Sequence, residues 1–92
     1  MSASPDRTAL IAELKSLIVR ECDKDVAPQD IADDLPLIGA GLELDSLDAL
    51  QISLAVKERY AVRIEGGPDG RRALASTGAL ADFILAARAS TP

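Results

Sequence analysis

Apolar residues recur along the first part of the chain at Leu10, Ile11, Leu14, Leu17 and Ile18, the spacing of one helix face. Ser4 suits an N-cap and Pro5 the first helical position, where a missing N–H costs little. The pattern predicts a first helix from about Pro5 to Arg20. A long connection follows, from about Glu21 to Asp45, broken by Pro28, Pro36, Gly39 and Gly41. Featureless loops of that length are unusual in a compact domain. Ile31, Leu35, Leu37, Ile38, Leu42 and Leu44 are expected to fold it back onto the helices, with a short helical turn near Gln29 to Ala32. A second helix is expected from Ser46 to Tyr60. Gly66-Gly67-Pro68-Asp69-Gly70 is a breaker cluster. After it, Arg71 to Ala75 has room for a short helix only. Ser76 then caps a last helix carrying Leu80, Phe83, Ile84 and Ala87. The expectation is an all-α four-helix bundle with three longer helices, one short helix and a long loop after the first. Residues 1–92 form one domain with an ordered core over about 5–89 and a frayed tail from Ser90.

The second helix carries two apolar stripes. Ala49, Ile52, Val56 and Tyr60 form one; Leu47, Leu50 and Leu54 form the other. At about 100° per residue the two point in nearly opposite directions. A domain this small cannot bury both, so one stripe is expected to stay exposed and to act as a binding face. Asp48, Gln51 and Glu58 rim the leucine stripe. The spacing alone leaves open which stripe is buried.

Composition narrows the function. The 92 residues include no Trp, one Phe and one Tyr, so the core must be aliphatic. The net charge of −5 argues against nucleic acid as a partner. The absence of His removes the usual general base near neutral pH. From Asp23 to Asp48 there are eight acidic side chains and one base, Lys24, whereas Lys57 to Arg72 holds five bases against three acids. One region should therefore attract basic partners and another should not. Cys22 is the single cysteine, which precludes an internal disulfide and suits a reducing cytoplasm. No apolar run approaches the ~20 residues of a membrane span, and the N-terminus lacks a signal-peptide pattern.

The candidate chemistry sits at Gly41-Leu-Glu-Leu-Asp-Ser-Leu-Asp48. Aspartate is a favoured N-cap because its carboxylate accepts the N–H groups a helix start leaves free. With Asp45 as cap, Ser46 is the first helical residue, and its hydroxyl lies at the positive end of the helix dipole, where phosphate is favoured. No His stands ready to activate Ser46, which argues against an autonomous serine hydrolase. No metal site is expected. Asp23, Asp25, Asp30, Asp33 and Asp34 lack the glycine and terminal glutamate of a calcium loop. Gly39-Ala40-Gly41 lacks the context of a dinucleotide loop.

Leu44-Asp45-Ser46-Leu47-Asp48 resembles the attachment motif of acyl carrier proteins. Its surroundings resemble that family as well: Leu35-Pro36-Leu37-Ile38-Gly39 the loop before the motif, Tyr60-Ala61-Val62-Arg63-Ile64 the end of the following helix, and Ser76 to Ile84 the start of the last. The resemblance implies a non-enzymatic carrier whose Ser46 hydroxyl is esterified to 4'-phosphopantetheine from coenzyme A. The thiol of that arm would hold acyl groups as thioesters. It gives Asp45 a second role, recognition by a phosphopantetheinyl transferase. It assigns Leu47, Asp48, Leu50, Gln51, Leu54 and Glu58 to partner docking, and the Ile52, Val56 and Tyr60 stripe to the core. Ala49, Ile52, Val56, Ile64, Leu74 and Leu80 would line a space for the acyl chain. Implied partners are the transferase and acyl ligase or ketosynthase-type enzymes of one pathway, acting on a cytoplasmic monomer.

This helix departs from the family pattern. Gln51 stands where a glutamate is common, and Lys57 and Arg59 where further acids are frequent. Charge of this kind chiefly sets encounter rate and partner choice. The departure points to a dedicated carrier of a specialised pathway, such as polyketide or unusual fatty acid synthesis. Two other readings stand beside it: a peptidyl or aryl carrier of a nonribosomal pathway, and an unmodified helical interaction module.

Overall fold

Local caps mark several of the described helix ends. The computed structural model describes residues 7–38 and 41–89, so the expected Ser4 cap, Pro5 and the tail from Ser90 lie outside the described residues. Helix α1 spans Arg7–Glu21. Past its end the Lys24 N–H donates to the Val19 carbonyl at 3.0 Å, with Asp23 in the left-handed region at φ 52°. That i to i+5 closure satisfies a carbonyl the helix would otherwise orphan. The long connection contains one 3-10 turn, Pro28–Asp30, which starts at Pro28 rather than Gln29 because proline's fixed φ suits a first helical position.

Helix α2 spans Ser46–Tyr60 and ends on Ala61, which is left-handed at φ 58°, ψ 32° and donates to the Lys57 carbonyl. Helix α3 spans Pro68–Ala73. It begins three residues before the expected Arg71, because the breaker cluster itself opens it: Gly67 is the cap at φ 86° and Pro68 the first turn. Gly70 lies inside that helix, where a Cβ would collide with the Glu65 carbonyl. Helix α4 spans Thr77–Ala89, and the Ser76 hydroxyl caps it by accepting the Ala79 N–H at 3.1 Å. The described residues thus form a small all-α bundle of three longer helices and one short one, without a strand.

Helix α1 packs against α2, α4 and the 3-10 turn, and α3 packs against α4. The buried centre is aliphatic. Leu10, Leu14, Leu17 and Ile18 come from α1, Ile52 and Val56 from α2, and Leu80 and Ile84 from α4. Burying a side chain of this size removes ~1.5–3 kcal/mol worth of apolar surface from water. The long connection contributes Ile31, Leu37 and Leu44 to the buried set. Leu44 reaches back to accept a place beside Leu37, its N–H donating to that carbonyl at 2.9 Å. Gly41 makes this return with φ 82°, and a Cβ there would strike the Pro36 carbonyl. The connection is tied to α4 as well. The Asp33 carbonyl accepts the Gly78 N–H at 2.9 Å and the hydroxyl of fully buried Thr77 at 3.3 Å.

Two polar bridges span the helices. The Tyr60 hydroxyl donates to Glu13 at 2.9 Å, joining α2 to α1. Arg7 reaches Asp82 on α4 at 2.8 Å and, through this hydrogen bond, holds that carboxyl below its ordinary range. Both partners of that pair are exposed, so its net worth is small.

Two predictions follow from these contacts. Ala61 adopts a left-handed conformation at no chemical advantage, so Ala61→Gly should raise stability by roughly 0.5–1 kcal/mol. An unchanged or lower urea midpoint would show that the helix end is not strained. The second prediction concerns alkaline pH. Burial, helped by the bond to Glu13, pushes the Tyr60 hydroxyl up to about 12, and burial beside Asp48 pushes the Cys22 thiol up to about 11. Both groups hold their protons more tightly folded than unfolded, so both stabilise at low pH and lose that contribution as pH rises. Stability should fall from pH ~9 towards ~12. Cys22→Ala should flatten the lower part of that fall and Tyr60→Phe the upper part, read from urea midpoints at each pH.

Candidate functional site

The site is the start of α2. Asp45 is extended, φ −103° and ψ −174°, and its carboxylate accepts the Asp48 N–H at 2.9 Å. The Asp48 carboxylate reaches back and accepts the Asp45 N–H at 3.3 Å. This reciprocal capping box satisfies two donors that a helix start otherwise leaves unpaired. It also places two carboxylates at the positive end of the helix dipole. Ser46 follows as the first helical residue and is exposed. The Cys22 thiol, one residue past α1, approaches the Asp48 carbonyl at 3.9 Å, so the turn after α1 meets the first turn of α2. Burial keeps that thiol protonated and unreactive at neutral pH.

The two stripes of α2 separate cleanly. Ile52 and Val56 are buried, 1% and 0% exposed, with Ala49 and Tyr60 half-buried beside them. Leu47, Leu50 and Leu54 are 63%, 54% and 53% exposed. Gln51 and Glu58 are exposed on the same side, and Lys57 completes the rim. Asp48 is half-buried, its carboxylate engaged in the capping box. The leucines, with Ile38 of the loop at 45%, are the large apolar side chains left most open to water among the described residues.

A third flank of α2 lies between the core stripe and the leucines. Ser46, Ala49, Leu50 and Ser53 fall on it, within about 100° of helix circumference. They form one wall of an open groove of about 1010 Å³. Pro36, Ile38 and Asp34 of the loop contribute to a second wall; Ile64, Gly70, Arg71 and Leu74 contribute to a third. Of the residues expected to line an acyl space, Ala49, Ile64 and Leu74 do border this groove. Ile52, Val56 and Leu80 do not: they lie one layer deeper, packed into the core. The resemblance places all six along a space between the helices; three of them border the open groove and three lie in the closed core behind it. Ser53 and Arg71 were not expected. Ser53 shares a flank with Ser46 and Ala49 at helical spacing, a signal the sequence does contain. Arg71 comes from another helix, and no local pattern links it to Ser46.

Ser46 is exposed and borders the groove. A phosphate ester there would meet free backbone N–H groups and the dipole's positive end. The chain contains no histidine to act as a base beside that hydroxyl. Among the described residues no three His, Cys, Asp or Glu side chains are grouped as a metal ion requires. None of the described helices is long and apolar enough to cross a membrane. No protein-family model matches the chain, and no curated protein matches it in sequence.

The cap makes a direct prediction. Asp45→Ala should cost about 1 kcal/mol of stability and loosen the first turn of α2, whereas Asp45→Asn should retain most of the capping. Urea unfolding gives the energy, and amide exchange at residues 46–49 gives the location. Equal stability of all three forms would mean that the box contributes nothing.

Proposed function

We propose that this chain is a carrier protein in which the Ser46 hydroxyl is the attachment point for 4'-phosphopantetheine taken from coenzyme A. One observation carries the reading: an exposed serine at the first position of a long, reciprocally capped helix, opening onto a largely apolar groove. The resemblance to acyl carrier proteins across the motif and its flanks supports it. When attached, the group supplies a thiol that carries acyl chains as thioesters.

In this reading each residue has a limited task. Ser46 provides the oxygen, which loses its proton and replaces the adenosine 3',5'-bisphosphate leaving group at the coenzyme A pyrophosphate, and Asp45 fixes the helix end on which a transferase must close. Leu47, Leu50 and Leu54 form the apolar docking stripe, with Gln51 and Glu58 at its rim. Asp48 acts mainly by holding Asp45 in place. Ala49, Ile64 and Leu74 give the cargo an apolar wall, and Ile52, Val56 and Leu80 become accessible to it only where helices part. The protein performs no catalysis itself. It serves a transferase and then the ligase or ketosynthase-type enzymes of a specialised acyl pathway in the cytoplasm. Neutral Gln51 and basic Lys57 and Arg59 favour dedicated partners over those selected for a strongly acidic helix.

The exposed leucine stripe also favours a second reading, an unmodified module that binds a protein through α2. Mass spectrometry separates the two. Incubation with coenzyme A and a broad-specificity phosphopantetheinyl transferase should add a single arm, and Ser46→Ala should abolish the addition completely. A chain that gains no mass with any such transferase would favour the unmodified module. Loading assays with acyl and aminoacyl ligases then distinguish acyl carriage from peptidyl or aryl carriage.

A further inference from the structure

The groove beside Ser46 carries charge as well as apolar surface, and the charge is unevenly engaged. Three ionised side chains border it: Asp34, Glu65 and Arg71. Glu65 is occupied by Arg63 at 3.2 Å. Asp34 belongs to the loop wall and repels an anion from that side. Arg71 belongs to α3, and no carboxylate among the described residues lies within ion-pair distance of it. Its neighbour Arg72 differs, pairing with Asp69 at 3.7 Å. A guanidinium without a carboxylate, set against Leu74 and Ile64 in the wall that faces an attachment serine, is placed to receive an anion. Its planar fork binds carboxylates and phosphates with two parallel hydrogen bonds. Arg71 is exposed and the groove is open, so an anion on the arm can reach the guanidinium without displacing a packed side chain.

We infer that Arg71 is a specificity residue of this site, binding an anionic group borne on the arm attached at Ser46. The inference rests on the carrier reading and narrows it. The anion has two sources of shared chemistry: the phosphodiester at the root of the arm, or a carboxylate at the far end of the acyl cargo. In the second case the groove selects acid-tipped acyl groups over methyl-tipped ones. An aliphatic chain then lies along Ala49, Ile64 and Leu74, with its terminal charge met by Arg71.

The test uses the full chain loaded from three donors: coenzyme A, octanoyl coenzyme A, and the coenzyme A monothioester of the eight-carbon diacid. Mass spectrometry first establishes one arm per chain, absent in Ser46→Ala. The side-chain Nε–Hε resonance of Arg71 is then followed by nitrogen-15 NMR, and thermal midpoints are measured for wild type and Arg71→Gln at low and high salt. A resonance that moves in all three loaded forms identifies the phosphodiester. A resonance that moves only with the diacid identifies the cargo carboxylate; the diacid form should then melt higher than the octanoyl form, by a margin lost in Arg71→Gln and reduced by salt. A resonance unmoved in every loaded form overturns the role of Arg71 and leaves the carrier reading standing. Absence of any mass gain overturns both.

Discussion

The exchange of hydrogen bonds between Asp45 and Asp48 is the contact on which the site depends. Each carboxylate accepts the other residue's N–H, and the two bonds of 2.9 and 3.3 Å pin the first turn of α2. Without them the helix start would fray, as unpaired ends do. Ser46 lies between the two aspartates, so its position follows from theirs. The same turn is met by Cys22, one residue past α1. Ser46 is thus held on a capped helix end and is yet exposed.

The body of α2 then divides its circumference among three tasks. One stripe, Ile52 and Val56, enters an aliphatic core built with α1 and α4. The opposite stripe of leucines stays in water at a standing hydrophobic cost. The flank between them shares a groove with the loop and α3. The exposed leucine stripe and the groove flank that carries Ser46 are therefore adjacent sectors of one 15-residue helix. A partner gripping the leucines would lie directly beside Ser46 and the groove mouth.

The connection between α1 and α2 earns its length by packing. Ile31, Leu37 and Leu44 are buried, and Gly41 turns the chain where a side chain would strike Pro36. Hydrogen bonds from Gly78 and Thr77 to Asp33 tie it to α4. It is an ordered wall along its described part, which is why its members Pro36 and Ile38 can line the groove.

Much of this was legible in residue order. The helix spacing of Leu10 to Ile18, the capping preference of Asp45 and Ser76, and the two stripes of α2 are local properties, decided within a few residues by backbone geometry and side-chain type. They located three helices closely and marked Ser46 as the first residue of one. Short-range competition misplaced the start of α3, where Gly67 and Pro68 open a helix instead of preventing one. Which stripe of α2 is buried was beyond spacing alone, because both are equally apolar; packing against α1 and α4 decided it. Which residues border the groove was likewise a tertiary outcome. Ile52, Val56 and Leu80 were drawn into the core, and Arg71 was carried to the groove from another helix. Periodicity records the direction a side chain takes from its own axis, whereas depth depends on the neighbours that the folded chain brings to that side.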